Sequence, residues 1–301
     1  MAKTKLDRLD KVLKKHHLTQ SELEKVVQSH NNQAPKRGQI WRDYSTSNLK
    51  IGVFSDAHIG HEMFDEPFFK YMAKTFRKEK VDRIYQAGDI LEGMSGRDGQ
   101  IYELSEIGFH KQMKKAVKMF GLLKGTEVYG IDGNHDGWYQ KKANQGLIVG
   151  EILDEKVDHY HHLGQMEADV ELKPGVKMKL FHGGDGTAYA VSYKMQKLME
   201  SFTGGEKPAV VLSGHYHKSL YMFNRNIHGL ECGTMCGQTG WMRGKKIPAH
   251  KGFWIVDMKV GKSGIGMFKP AFYPGYKEFF VVNFIKYILV PLLVSKELRA
   301  V

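Results

Sequence analysis

The chain has 301 residues, 42% of them hydrophobic and 26% charged, enough apolar material for one large core or two modest domains, which excludes collagen-like and wholly disordered chains. Forty-five Lys and Arg against 33 Asp and Glu give a net charge of +12, and the pI near 9.4 points to a polyanionic partner, either nucleic acid or an anionic membrane surface. Only Cys232 and Cys236 occur, so a disulfide framework and a four-thiolate zinc site are both excluded, and the count fits a reducing compartment.

The chain starts Met-Ala-Lys-Thr-Lys with no apolar run behind it, so a cytoplasmic location is expected. Leu6, Leu9 and Leu13 recur at helical spacing, and Thr19-Gln-Ser-Glu22 reads as a capping box before Leu23, Val26 and Val27. The polar stretch Asn31 to Gly38 then reads as a linker, so residues 1–48 are expected to form a helical basic arm and its tether. The first 49 residues carry ten Lys or Arg against five Asp or Glu, which suits a solvated hairpin or a nucleic-acid-contacting arm.

From Leu49 the pattern alternates. Strands are expected at Leu49–Ser55, Arg83–Ala87 and Glu127–Ile131, with helices at Pro67–Lys80 and Glu106–Leu123 between them. Further strands follow at Lys177–Phe181, Ala209–Leu212, Leu220–Phe223 and Phe253–Val256, with one helix near Val191–Phe202. A parallel-leaning half followed by a strand-rich half predicts an α/β domain over residues 49–258, with sheets packed between helices. Residues 259–301 are expected as an extension ending in the apolar run Phe279–Val294. That run is shorter than the ~20 residues of a spanning helix and is broken by Asn283, Lys286 and Pro291. It reads as a segment docked on the core or on a protein partner, self-association included, with peripheral membrane contact as the alternative.

Nearly every expected strand runs into a cluster of metal-ligand residue types, where open α/β sheets place their sites. The clusters are Asp56-Ala-His58, Gly88-Asp89, Gly133-Asn134-His135-Asp136, His182-Gly-Gly and Gly214-His215-Tyr-His217. Two divalent cations a few ångströms apart need about seven nitrogen and oxygen ligands, with a carboxylate able to bridge. Asp56, His58, Asp89, Asn134, His182, His215 and His217 supply that set. The glycines Gly88, Gly133, Gly183, Gly184 and Gly214 are expected to turn the backbone sharply beside these ligands.

The ordered pattern D-x-H, G-D, G-N-H-D, H, G-H-x-H resembles the calcineurin-like metallophosphoesterase superfamily, whose layered αββα fold the resemblance implies for residues 49–258. It also implies that Asp56, His58 and His217 hold one metal, that Asn134, His182 and His215 hold the other, and that Asp89 bridges them. A metal-activated water then attacks phosphorus, His135 acts as general acid, and Asp136 orients its imidazole. Manganese is the expected metal, with iron, zinc, magnesium, cobalt and nickel as alternatives. Within the superfamily, Ser55-Asp56-Ala-His58-Ile-Gly60 is similar to the opening motif of double-strand-break repair nucleases. Gly88-Asp89-Ile-Leu-Glu92-Gly93 and the run Cys232 to Thr239 are similar to the exonuclease small subunit of archaeal family-D DNA polymerases.

The expected activity is phosphodiester hydrolysis on DNA by an exonuclease-like enzyme. A phosphomonoesterase, a cyclic-nucleotide phosphodiesterase and a non-catalytic nucleic-acid-binding subunit stay open. Trp241, Arg243, Lys245 and Lys246 combine an aromatic with clustered positive charge, as a surface that stacks a base and holds phosphates would. His159, His161 and His162 lack a matching acid cluster in sequence and are expected on an exposed strand or loop; Cys232 and Cys236 are expected as free thiols.

Overall fold

The computed structural model describes residues 40–42, 47–141, 146–186 and 188–276, with Thr19 alone before them. The expected helical arm and the apolar run Phe279–Val294 lie outside the described residues. None of the described helices is long and apolar enough to cross a membrane.

In chain order the elements are β1 (Ile40–Arg42), β2 (Asn48–Phe54), α1 (Glu66–Glu79), β3 (Arg83–Ala87), α2 (Phe109–Phe120), β4 (Glu127–Asp132), α3 (Gly137–Lys141), α4 (Val149–Lys156), β5 (Tyr160–Gln165), β6 (Glu167–Lys173) and β7 (Val176–His182). These are followed by α5 (Tyr193–Ser201), β8 (Val210–Gly214), β9 (Ser219–Asn224), β10 (Ile227–Cys232), α6 (Gly240–Gly244), β11 (Gly252–Val260) and β12 (Ile265–Pro274).

Two six-stranded sheets result, ordered β1-β6-β7-β8-β10-β9 and β12-β11-β2-β3-β4-β5. The run β2-β3-β4-β5 is parallel, as is β7-β8-β10, with antiparallel strands added outside. The period-2 alternation of the strands separates their faces. Ile51 and Val53 of β2 pack with Tyr85, Met178, Leu180, Leu212, Leu230 and Val256 in a core between the sheets. Phe54 faces the other way and joins Phe69, Met72 and Phe76 of α1, Met113 and Phe120 of α2, and Leu153 of α4. On the far side, Met195 and Met199 of α5 cover Val211 and Ile227. The layers are therefore helix, sheet, sheet, helix, as expected.

Local rules set the helix ends. The Asp65 side chain accepts the Phe68 N–H at 2.9 Å and starts α1, Pro67 occupies its first turn, and Lys80 ends it in the left-handed region at φ 53°.

Several boundaries differ from expectation. Ile40–Arg42, placed in the arm and linker, forms β1 and pairs in parallel with β6. The expected limit at 258 falls inside β11, and β12 pairs along β11 from Gly252 to Val260, so residues 259–274 extend the second sheet. Pro270 and Pro274 obscure β12 in the sequence, and the edge position tolerates them because a missing N–H there leaves no ladder partner unsatisfied. Strands β5, β6 and β10 and helix α4 are additions to the expected elements.

Candidate metal centre

The C-terminal ends of five parallel strands from the two sheets converge. Asp56 and His58 follow β2, Asp89 follows β3, Asn134 follows β4, His182 ends β7, and His215 and His217 follow β8. Asp56, Asp89 and His182 are buried to 1% exposure or less, and His58 to 4%. Five of the seven hold left-handed backbone: Asp56 (φ 50°), His58 (49°), Asp89 (54°), His215 (83°) and His217 (53°). Such conformations cost about 1–3 kcal/mol each for a non-glycine residue and persist where the surroundings over-determine them. Here the Asp56 carboxylate accepts the His215 N–H with both oxygens at 3.0 Å, and the Thr234 hydroxyl donates to the Asp56 carbonyl at 2.8 Å. The run from Cys232 to Thr239 thus braces the first ligand loop.

The glycines serve chiefly by being small. Gly133 does not take a positive φ; a β-carbon there would stand 2.1 Å from Asp89 Oδ1. Gly88 does, at φ 96°, and its β-carbon would also meet His182 Nδ1 at 2.2 Å.

The donor atoms form two groups. Asp56, His58 and His217 offer atoms within 4.8 Å of one another, as do Asp89, His182 and His215. Nε2 of His58 and Nε2 of His217 are 3.0 Å apart, and Asp56 Oδ1 lies 3.4 Å from the latter. Asn134 Oδ1 is 3.1 Å from His182 Nε2 and 2.8 Å from His215 Nδ1. Asp89 Oδ2 lies 3.3 Å from His182 Nε2 and 3.7 Å from His58 Nε2, between the groups.

Outer contacts aim the rings. His182 Nδ1 donates to the Ala87 carbonyl at 2.8 Å, His215 Nε2 to the Asp185 carbonyl at 2.8 Å, and His58 Nδ1 to Glu92 Oε2 at 3.0 Å. A ligating histidine is ordinarily fixed in this way by its second nitrogen.

Electrostatics agree with a cation site. Burial pushes the Asp56 and Asp89 carboxyls up, but neighbouring histidines more than offset it and hold both below the usual carboxylate range. Burial lowers His58 and His215, favouring the neutral imidazole that can donate a lone pair. Burial also pulls His182 down, yet the Asp89 charge holds it at about 9, and a carboxylate that draws a proton this strongly draws a cation too. Two ionised carboxylates, an amide oxygen and four imidazoles in two adjoining groups fit a pair of divalent cations.

His135 lies beside this cluster and lines a cavity of about 600 Å³. Its N–H donates to Asp89 Oδ1 at 2.9 Å, and its Nδ1 lies 2.8 Å from the Glu92 carbonyl and 3.4 Å from Glu92 Oε2. Burial lowers the imidazole, but Asp89 and Glu92 outweigh it and raise it to about 9. Burial likewise pushes Glu92 up, and the contacts to His135 and His58 take it well below the ordinary carboxylate range.

Asp136 does not orient that ring. Its carboxylate turns away and accepts the backbone N–H groups of Ile90, Leu91 and Gly133 at 2.9–3.0 Å, clamping two ligand loops together. Glu92, three residues after Asp89 in the Gly88–Gly93 motif, holds His135 instead.

Trp241 and its neighbour Met242 line the cavity. Arg243, Lys245 and Lys246 are exposed and are not among its lining residues. Trp138, which no sequence motif marks, also lines it. His161 and His162 lie on β5; the His162 side chain is buried 3.4 Å from Asp132 rather than exposed. Cys232 and Cys236 are free and buried, and burial pushes both thiols well up.

The sequence profile of the calcineurin-like phosphoesterase superfamily domain matches residues 49–259. The DNA polymerase II small subunit of Methanothermobacter thermautotrophicus is 23% identical over 239 residues, 65% of this chain and 49% of that protein, so the chain spans about half the length of that curated relative. Among solved structures, an archaeal phosphodiesterase superposes with a TM-score of 0.43 at 16% identity, covering 75% of this chain and 100% of its own. The phosphoesterase Yfce of E. coli gives 0.41 at 14% identity, covering 73% and 98%. With a profile match across more than half of its length, the chain belongs to the calcineurin-like phosphoesterase superfamily.

Proposed function

We propose that this chain hydrolyses phosphodiester bonds in DNA, with two divalent cations, manganese foremost, held by Asp56, His58 and His217 and by Asn134, His182 and His215, and with Asp89 between them. The observation that carries the reading is the gathering of the donors into two adjoining groups, five of the seven lining one cavity, beside an imidazole fixed through a single nitrogen. Bound cations supply an acidified water as nucleophile and neutralise charge on the phosphoryl oxygens.

The chain's own residues do the rest. Glu92 engages Nδ1 of His135, which leaves Nε2 as the atom that carries a proton to the leaving oxygen. Asp89, by accepting the backbone N–H of His135, ties the loop that carries this ring to the ligand cluster. Asp136 holds the Gly133 and Ile90 loops at fixed separation.

Three features support DNA as substrate: the net charge of +12, the exposed Arg243, Lys245 and Lys246 beside the cavity wall, and the likeness to a DNA polymerase small subunit. The test is to assay the manganese-loaded protein side by side on single-stranded DNA, duplex DNA, bis(p-nitrophenyl) phosphate and p-nitrophenyl phosphate. Cleavage of DNA and of the diester is expected. Turnover of the monoester alone would replace this reading with a phosphomonoesterase.

A further inference from the structure

Two tryptophans wall the cavity, and they arrive from different sheets. Trp138 lies on α3, which follows β4 of the second sheet, and its indole is 3.9 Å from the His135 ring, centroid to centroid, at an interplanar angle of 35°. Trp241 lies on α6, which follows β10 of the first sheet, and half of its surface is exposed. Thr239 caps that short helix by accepting the Met242 N–H at 3.2 Å, which fixes the turn carrying the indole.

Two indoles on the wall of one cavity, with the exposed Arg243, Lys245 and Lys246 following one of them in the chain, suit a ligand that is itself both flat and anionic. We propose that the cavity takes an unpaired nucleobase between Trp138 and Trp241, so that the site accepts nucleotides of single-stranded DNA in preference to a duplex. This rests on the phosphodiesterase reading above and specifies its substrate.

The physical argument is one of access. In a duplex both faces of a base are covered by its neighbours, so an indole can reach one only after the base has been unstacked, at a cost of a few kcal/mol that a single strand largely avoids. A cavity of about 600 Å³ has the size of a small-ligand pocket, enough for a nucleotide and too small to admit a double helix. Tyr102 is 86% exposed on the segment whose Gln100 and Glu103 line the cavity, and Tyr189 is fully exposed just beyond the lining residues Asp185 and Gly186. These two exposed rings, each within three residues of the lining in sequence, are of the kind that stacks the bases flanking the one bound.

The test uses the full chain with manganese. Hydrolysis of bis(p-nitrophenyl) phosphate is inhibited with dAMP, with deoxyribose 5-phosphate, and with an oligonucleotide in single-stranded and duplex form. The base should improve inhibition at least about tenfold over the sugar phosphate, and the single strand should compete about tenfold better than the duplex. Trp241→Ala, at an exposed position where folding is not at stake, should reduce the advantage of the base to within about threefold, and Trp138→Leu should do the same. Equal inhibition by dAMP and deoxyribose 5-phosphate, or an advantage that survives both substitutions, overturns the proposal. If the wild-type protein fails to hydrolyse the diester, the phosphodiesterase reading fails. Quenching of tryptophan fluorescence by dAMP against deoxyribose 5-phosphate, which needs no turnover, then decides the clamp alone.

Discussion

Nδ1 of His135 meets Glu92 at two points, its backbone carbonyl at 2.8 Å and its carboxylate at 3.4 Å. Glu92 thereby fixes the position of the imidazole beside the ligand cluster and, together with Asp89, its charge. His135→Ala should lower turnover roughly 10²-fold on an alkyl-leaving-group diester while manganese content stays at the wild-type level. A p-nitrophenyl leaving group, which needs little protonation, should suffer less. Loss of the metals in this variant would make His135 a ligand and not an acid.

Glu92 also holds His58 at 3.0 Å. Glu92→Gln should therefore weaken manganese binding by about 10-fold, within the range seen when an outer partner of a ligating histidine is removed, and should reduce turnover as well. Isothermal titration of manganese into wild type and variant checks the first effect; unchanged affinity would confine Glu92 to His135.

Gly133→Ala places a methyl 2.1 Å from Asp89 Oδ1. Neither the β4 end nor the buried Asp89 loop has room to yield, so metal content measured after reconstitution should fall well below that of wild type. Thermal stability should fall by several degrees, in line with about 1–3 kcal/mol for overpacking.

Glu231 lies on β10 with 1% exposure, and neither carboxylate oxygen has a hydrogen-bond partner. Burial raises its carboxyl to about 7, against a small opposing pull from Lys218. Because the folded state favours the protonated form, stability is greatest below the unfolded value near 4.5 and declines as pH rises through 7. Glu231→Gln removes this dependence, so its stability relative to wild type should grow between pH 4.5 and 7 to about 3 kcal/mol at most. Urea titrations at about pH 5 and about pH 8 measure it; a constant difference would mean that the carboxylate finds a partner.

Arg243, Lys245 and Lys246 are exposed next to the cavity wall. Replacing all three by Ala should flatten the salt dependence of single-stranded DNA binding, lowering the slope by roughly 0.7 for each phosphate that is no longer neutralised. Fluorescence anisotropy across a salt series reads the slope, and an unchanged slope would place the DNA path elsewhere.

Much of the site is legible in the sequence because metal chemistry restricts residue type. Asp, Asn and His clusters after successive strands have few structural uses that would set five of them in one frame, and all seven donors meet. Asp136 departs from its expected role for a reason that sequence hides. Adjacent residues on a turn point in different directions, and its carboxylate is spent on three backbone N–H groups while Glu92, 43 residues from His135, reaches the ring. The left-handed backbone of five ligand residues is hard to read in the sequence, since Asp and His signal it far more weakly than glycine does. Helix α1 and strand β3 show through their periodicity. The polar edge strand β5 and the proline-bearing β12 do not, because an edge strand needs only one buried face and tolerates residues that a central strand rejects. In β6, Ala168, Val170 and Leu172 alternate with charged residues, so that strand does carry a period-2 signal, one weakened by its opening alanine and its four charges.

Equilibrium titration of the full chain with manganese tests the central claim most directly, with wild type set against Asp89→Asn. Two ions per chain are predicted for wild type, with loss of at least one in the variant, because Asp89 Oδ2 lies between the two donor groups at 3.3 Å and 3.7 Å from their histidines. Absence of binding to the wild-type chain, or a stoichiometry of two that survives Asp89→Asn, would contradict the account.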